Sequence, residues 1–426
     1  MKKRREKERL LSTSSTAEVC YDDLTLCQRS SGSQQALNND GNSLVDRISD
    51  LPDELLQHIL CFLPTKLSFT TTVLSKRWSK LCCSLPVLCF EDETTKDYDA
   101  FLRFCRIVDT ILLSPRATNQ PLKMFRLKCR FKDHNQKGPF NVTEWLEASK
   151  QRSIEEVHLT LYYHTLKPSI FIFQTLVVLK LERLNVGADT SCVDLPSLKT
   201  LTLEYVYFEN WNDYINFLYA CPILEDLHAQ YINTFSYNVP EEGFKSLALP
   251  KLVRASISEV DAQFNGIDNV EFLRINFWFK EASFNVILMF SNLIHTELVF
   301  CYFTFHNWDC VVELLRHSPN LQILFIKKWM ETSSSRKCKC PISVHECVLS
   351  HLTSCTILNL DASANDLQFA KYILQNASLL QDMRIGVAIG SSDRMLLKIN
   401  HIREELFSTP RISPKCKISF EFKYVN

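Results

Sequence analysis

The sequence predicts an α/β chain in two parts: a short N-terminal cluster of three helices, then an irregular solenoid of strand-plus-helix repeats with a parallel sheet on its concave side and helices on its convex side. Three observations carry this expectation. From about residue 120 onward one template recurs, an apolar residue followed by others three and five places later. A proline stands at one fixed offset before several copies of it. Residues 46–85 replace the polar texture of the N-terminus with apolar residues at helical period, bounded by start and stop signals.

Composition narrows the function classes. The chain has 426 residues, more than a single domain of roughly 100–200, and 46% of them are hydrophobic, enough to bury a large core. Lys plus Arg and Asp plus Glu both count 48, so the net charge is zero and there is no global attraction for nucleic acid or an anionic bilayer. Only 8 glycines occur, and GxGxxG, GxxxxGK[ST] and GxSxG are absent, so no glycine loop cradles a phosphate or presents a serine nucleophile. A non-catalytic chain without cofactor or metal is expected. The 17 cysteines lie mostly in apolar periodic segments (Cys61, Cys89, Cys105, Cys301, Cys310), as reduced core cysteines do. With no signal peptide and no run of 18 apolar residues, the expected location is nucleus and/or cytoplasm.

Residues 1–45 are rich in Ser, Thr, Asn, Gln and charge and read as a disordered tail. Its basic cluster Lys2, Lys3, Arg4, Arg5, Lys7 and Arg9 matches both a nuclear-import address and a plain solvated tail. From Asp46 a helix start follows, with Asp50 as candidate cap, Pro52, and Asp53 and Glu54 in the first turn. The helix carries Leu55, Ile59 and Phe62 on one stripe and Leu56, Leu60 and Leu63 on the next, a band wide enough to have two surfaces to bury. Pro64 stops it. A further turn of structure over Thr65 to Thr72 leads to a third helix, with Ser75 placed as its cap.

The run DRISDLPDELLQHILCFLPTKLSFTTTVLSKRWSKL resembles the plant F-box, with Leu51-Pro52, the element Ile59 to Pro64 and the element Val73 to Trp78 in the family's order. The resemblance implies docking to a Skp-family adaptor, and through it to a cullin, at Leu51, Pro52, Ile59, Leu60, Leu63, Pro64, Val73, Leu74 and Trp78. Two departures stand out: Leu67-Ser68-Phe69-Thr70 replaces the usual acidic or alanine-rich second helix, and Cys82 stands where a second tryptophan is common.

After a linker with capping helices (86–120), the repeats run over 121–335. The template fits Leu122-Phe125-Leu127, Ile154-Val157-Leu159, Leu176-Leu179-Leu181, Leu198-Leu201-Leu203, Leu224-Leu227-Ala229 and Leu252-Ala255-Ile257. It continues through Val270-Leu273-Ile275, Leu293-Thr296-Leu298, Leu321-Leu324-Ile326, Cys355-Leu358-Leu360 and Leu380-Met383-Ile385. The mean spacing of about 26 residues lies within the range of leucine-rich repeats. Pro196, Pro222, Pro250 and Pro319 each stand two residues before a first anchor and mark one recurring junction into a strand. Trp211 to Tyr219, Trp308 to His317 and Asp366 to Asn376 read as the helices between strands. This part resembles the irregular leucine-rich repeats of plant F-box proteins. The asparagine usual after the strand is replaced by Leu184, Val206, Ile232, Val260, Trp278, Cys301 and Trp329, so no asparagine ladder is expected. Residues 336–426 resemble the FBD module that closes many such proteins, and physically read as further repeats with a capping strand.

Other candidate chemistry is thin. Cys338, Cys340, His345 and Cys347 are zinc-binding residue types, but their spacing departs from paired two-residue spacings and a basic surface loop is the expectation. Cys82-Cys83 reads as helix filler. His158, His228 and His295 fall on strands with no fixed carboxylate partner in sequence and read as surface or contact histidines, not bases. The expected function is therefore a substrate-recognition subunit of an SCF-type E3 ubiquitin ligase; a non-ligase repeat scaffold with a degenerate F-box is the alternative. The target is expected on strand residues that alternate away from the core: Lys180, Glu182, Thr202, Glu204, His228, Gln230, Ser256, Ser258, Arg274, Asn276, Glu297 and Lys327. Of these, Glu204, His228, Arg274, Glu297 and Lys327 are the candidate target-binding residues. Their mixed charge suits a protein partner, not nucleic acid or membrane.

Overall fold

The computed structural model describes residues 48, 50–92, 97–113, 121–131, 140–235, 248–258, 265–277, 289–301, 308–328, 350–360, 363–389 and 394–424. The expected tail (1–45), the Cys338 to Cys347 group and Val260, Trp278 and Trp329 lie outside these residues. The backbone divides into two units, residues 1–51 and 52–426. Of the first, the described part is a turn in which the Leu51 N–H donates to the Ile48 carbonyl at 3.1 Å.

The second unit opens with α1 (Asp53–Cys61), α2 (Thr65–Thr70) and, after a 3-10 turn over Thr71–Val73, α3 (Lys76–Cys83). The cap of α1 is Pro52, with no side-chain hydrogen bond, and not Asp50: the fixed proline φ suits a helix entrance. Asp53 in the first turn pairs with Arg77 at 2.6 Å, tying α1 to α3. Ser75 caps α3 as expected, its side chain accepting from the Trp78 N–H. The two departures noted in the sequence meet in the interior. Ser68 and Cys82 are both fully buried, the Cys82 thiol donates to the Ser68 carbonyl at 2.9 Å, and the Ser68 hydroxyl donates to the Leu60 carbonyl. Two small residues thus fill the space between α2 and α3.

The stretch expected as linker with capping helices holds a strand, β1 (Val87–Asp92), before α4 (Tyr98–Leu112). Leu85, Leu88 and Phe90 follow the repeat template and are buried, so the sheet begins one rung earlier than the sequence reading placed it. The Cys89 N–H donates to the Thr65 hydroxyl at 2.7 Å, anchoring α2 to this first rung. The chain continues with β2 (Met124–Cys129), α5 (Val142–Lys150), β3 (Glu156–Leu161), β4 (Thr165–Leu166), β5 (Val178–Glu182), β6 (Asn185–Val186), β7 (Thr200–Glu204) and β8 (Tyr207–Phe208). Then come α6 (Trp211–Tyr219), β9 (Asp226–Gln230), β10 (Asn233–Thr234), β11 (Arg254–Ser258), β12 (Phe272–Phe277), β13 (His295–Phe300), α7 (Trp308–Arg316) and β14 (Ile323–Lys327). The described part ends with β15 (Ser354–Leu358), α8 (Ala364–Asn376), β16 (Asp382–Ile389), α9 (Arg394–Phe407) and β17 (Lys417–Tyr424).

Thirteen of these strands form one sheet in the order β1-β2-β3-β5-β7-β9-β11-β12-β13-β14-β15-β16-β17, every pairing parallel. The register is the sequence template made physical. The middle anchors Leu88, Phe125, Val157, Leu179, Leu201 and Leu227 face one another rung by rung. The row runs on through Ala255, Leu273, Thr296, Leu324, Cys355 and Met383 to Ile418. At Cys355 it is the first apolar position of the template, not the middle one, that joins the row, so the sequence alignment there was three residues out of step. Each of the four prolines occupies the second position of a turn whose last N–H closes back: Leu198 to Leu195, Leu224 to Cys221, Leu252 to Leu249 and Leu321 to Ser318. The proline presets the turn and lacks the donor that a continuing helix would need.

After several strands the chain hooks away through a residue with positive φ: Arg183 at 56°, Tyr205 at 54°, Tyr231 at 56° and Asn359 at 61°. Left-handed backbone is costly for bulky residues, and stacking offsets it: Tyr205 and Tyr231 lie 4.1 Å apart with planes 9° off parallel, and the Arg183 guanidinium sits 4.7 Å from the Tyr205 ring. The next residues, Leu184, Val206 and Ile232, are buried where an asparagine ladder would stand. Backbone groups bridge the rungs instead, with the Tyr207 N–H donating to the Leu184 carbonyl and the Asn233 N–H to that of Val206. The hook delivers the chain to a second, four-stranded parallel sheet, β4-β6-β8-β10.

Candidate adaptor-docking and target-binding surfaces

The broad apolar band of α1 splits in two. Leu56 and Leu60 are fully buried, while Leu55, Ile59 and Phe62, one helical stripe away, are exposed, Phe62 to 76%. Exposed apolar residues continue through Leu63 and Leu67 to Val73 and Leu74 on the packed turns that follow. So many large apolar side chains on α1, α2 and the turns that follow them form the kind of surface that marks a protein interface. Pro52 and Pro64 are also exposed and Leu51 is half-buried. Two residues of the expected docking set are buried in the free chain. Leu60 and Trp78 point into the core, because a helix this short can bury only one stripe and the rest of the unit covers that one. Leu55, Phe62 and Leu67 are exposed instead; the helical stripe Leu55-Ile59-Phe62 was the signal for the first two.

The target-binding candidates lie on the sheet face opposite the buried anchors. In one row across the rungs stand Arg126, His158, Lys180, Thr202, His228, Ser256, Arg274 and Glu297. The neighbouring row holds Thr160, Glu182, Glu204 and Gln230 at one end and Ser258, Asn276, Val299 and Lys327 farther on. Glu204, His228, Arg274 and Glu297 are half-buried and Lys327 exposed. Arg274 pairs with Glu297 at 3.3 Å, so two of these candidates act as one group. Gln230 and Asn276 differ from expectation: both are buried, and the Asn276 amide donates to the Gln230 carbonyl oxygen at 2.8 Å across the intervening strand β11. Polar groups that satisfy each other are structural rather than available to a partner.

Burial lowers the pKa of His228 and of His295, and lowers that of His158 to about 4 with help from Lys180 and Arg126. Uncharged at neutral pH, they fit a surface or contact role. Burial raises the Cys82 thiol, leaving an inert filler. Among the described residues no group of His, Cys, Asp and Glu has the arrangement to hold a metal ion, and no helix is long and apolar enough to cross a membrane.

Comparison with known proteins joins these surfaces to a family. The F-box domain family matches residues 48–90, which span the three helices and the first part of β1, and the FBD family matches residues 339–385, which include β15, α8 and the first half of β16. The FBD-associated F-box protein At3g52670 of Arabidopsis thaliana is 30% identical over 91% of this chain and 100% of its own length. The F-box/FBD/LRR-repeat protein At4g00160 of the same plant is 28% identical over 88% of this chain and 94% of its own. With helices and module matched at the two ends of one parallel repeat sheet, and a relative aligned along its whole length, the chain belongs to the F-box/FBD/leucine-rich-repeat proteins.

Proposed function

We propose that this protein is the substrate-recognition subunit of an SCF-type E3 ubiquitin ligase, in which the helices docking a Skp-family adaptor lie at one end of the sheet and a target protein binds the sheet's open face. The observation that supports this most is the apolar surface of Leu55, Ile59, Phe62, Leu63, Leu67, Val73 and Leu74, uncovered on helices whose other face is fully packed. F-box proteins are typically non-catalytic adaptors. Holding a target near the ligase's transfer module raises the effective concentration of its lysines, which suffices for the role. A cullin joins through the adaptor, and the protein acts in nucleus or cytoplasm.

The test is copurification. The intact chain should retain a Skp-family adaptor, and Ile59→Glu combined with Phe62→Glu should lose it while the melting temperature holds, because both side chains are exposed. Retention by the soluble double variant sinks the docking surface; failure of the intact chain to bind any Skp-family adaptor leaves a repeat scaffold with a degenerate F-box.

A further inference from the structure

The open face is uneven in charge, and its first rungs hold a feature the ligase reading does not use. Arg126 on β2, His158 on β3 and Lys180 on β5 stand directly opposite one another in the register. Neighbouring strands are about 4.8 Å apart, so the backbones of Arg126 and Lys180 are about 10 Å apart with His158 midway. Both cations are exposed, while the imidazole side chain between them is only 12% exposed. The Arg126 Nε–H donates to His158 Nδ1 at 3.3 Å. Nδ1 is therefore the bare nitrogen, and the ring proton sits on Nε2. That Nε2 is buried and has no hydrogen-bond partner. Its nearest acid, the Glu156 carboxylate on the same strand, stays 3.9 Å away.

The other acids nearby are engaged: Glu91 pairs with Lys128, and Glu182 accepts from Thr160 and pairs with Arg183. Among the described residues no ion pair joins Arg126 or Lys180 to a carboxylate. A buried N–H without an acceptor, flanked by two positive charges, lacks an anion.

We propose that Arg126, His158 and Lys180 form an anion-binding site that receives a phosphate or carboxylate side chain of the bound target. The proposal rests on the reading that the target lies on the open face, and it adds the chemistry the target must present there. Arg126 and Lys180 supply the charge, and the buried, unpartnered His158 Nε2–H is the donor that a small turn of the ring would bring to the anion. A nucleic-acid backbone fits poorly, since Glu91, Glu156 and Glu182 border the site and break any continuous basic track.

The experiment follows the His158 ring resonances by NMR in the full chain, identified by their loss in His158→Gln, as pH is varied with and without inorganic phosphate or acetate. A bound anion stabilises the imidazolium, so phosphate should raise the titration midpoint from about 4 by about one unit or more. Lys180→Gln and Arg126→Gln should each diminish that rise, whereas Glu156→Gln should keep it. Response to phosphate alone assigns the site to a phosphorylated side chain; response to both anions admits aspartate and glutamate as well. A midpoint unmoved by either anion, or moved equally in Lys180→Gln, overturns the site. So does an oligonucleotide that shifts the midpoint more strongly than phosphate and loses its effect steeply with salt. Adaptor pull-down of the same variants is read separately, so a silent His158 with retained adaptor rejects the anion site and leaves the ligase reading standing.

Discussion

Leu60 and Phe62 are two residues apart, and the packing of α1 makes them opposites. Leu60→Ala removes a fully buried side chain and should lower stability by about 2 to 5 kcal/mol, whereas Phe62→Ala should leave the urea midpoint nearly unchanged and weaken adaptor retention. Equal loss of stability in both would show that Phe62 is not free. The sequence displayed both stripes of the helix but could not say which one the rest of the chain would cover, and Leu60, expected at the adaptor, lies on the covered stripe. His158 carries a pH dependence of its own. Its pKa in the folded chain is about 4, against about 6.5 unfolded. Between those values the unfolded chain binds a proton that the folded chain does not, so the stability from this group is complete above pH 6.5 and drains as pH falls towards 4. Unfolding free energy should drop by about 2 kcal/mol between pH 7 and 5 on this account. His158→Gln should flatten that slope in denaturation curves taken at the two pH values.

At the scale of elements, the joint between α7 and α8 rests on a buried ion pair. Lys328, just past β14, meets Asp366 in the first turn of α8, and both side chains are almost wholly buried. The Trp308 indole N–H donates to the other Asp366 oxygen at 3.1 Å, and the Trp308 ring stacks on Phe369 at 4.0 Å. Asp366→Ala should therefore cost about 3 to 5 kcal/mol, because it leaves the Lys328 charge unpaired in the interior. Lys328→Met with Asp366→Leu should recover much of that in thermal melts. The sequence displayed α8 through its apolar spacing, yet Lys328 and Asp366, 38 residues apart, carry no mark of pairing. The hooks after the strands were equally hidden, since Arg183, Tyr205 and Tyr231 look like ordinary surface residues until the left-handed backbone stacks them.

At the scale of the whole molecule, the sheet is a column of rungs each stabilised by its neighbours, so its ends matter most. Helices α1 to α3 reach the first end through the Thr65–Cys89 hydrogen bond, and β17 forms the last described rung on β16. Removing β17 should expose the apolar edge of β16, lowering the melting temperature and promoting aggregation in light scattering. Removing residues 1–40, which carry little apolar surface, should leave the melting temperature within a few degrees; a large fall would show that this segment docks on the folded unit.

The sequence by itself determined the repeat. Apolar anchors at fixed spacing and proline at the second position of the entering turn are local rules, so they placed most strands and their common register before any contact was known. The F-box motif and the FBD resemblance were legible for the same reason, being runs of adjacent residues. Only the tertiary structure decided what depends on neighbours distant in the chain: which stripe of α1 stays uncovered, that Leu85, Leu88 and Phe90 open the sheet, that Gln230 and Asn276 satisfy each other, and that Arg126, His158 and Lys180 converge. Burial and electrostatics are set by everything packed around a residue, and a parallel sheet makes neighbours of residues a whole repeat apart, a pairing that no local pattern records.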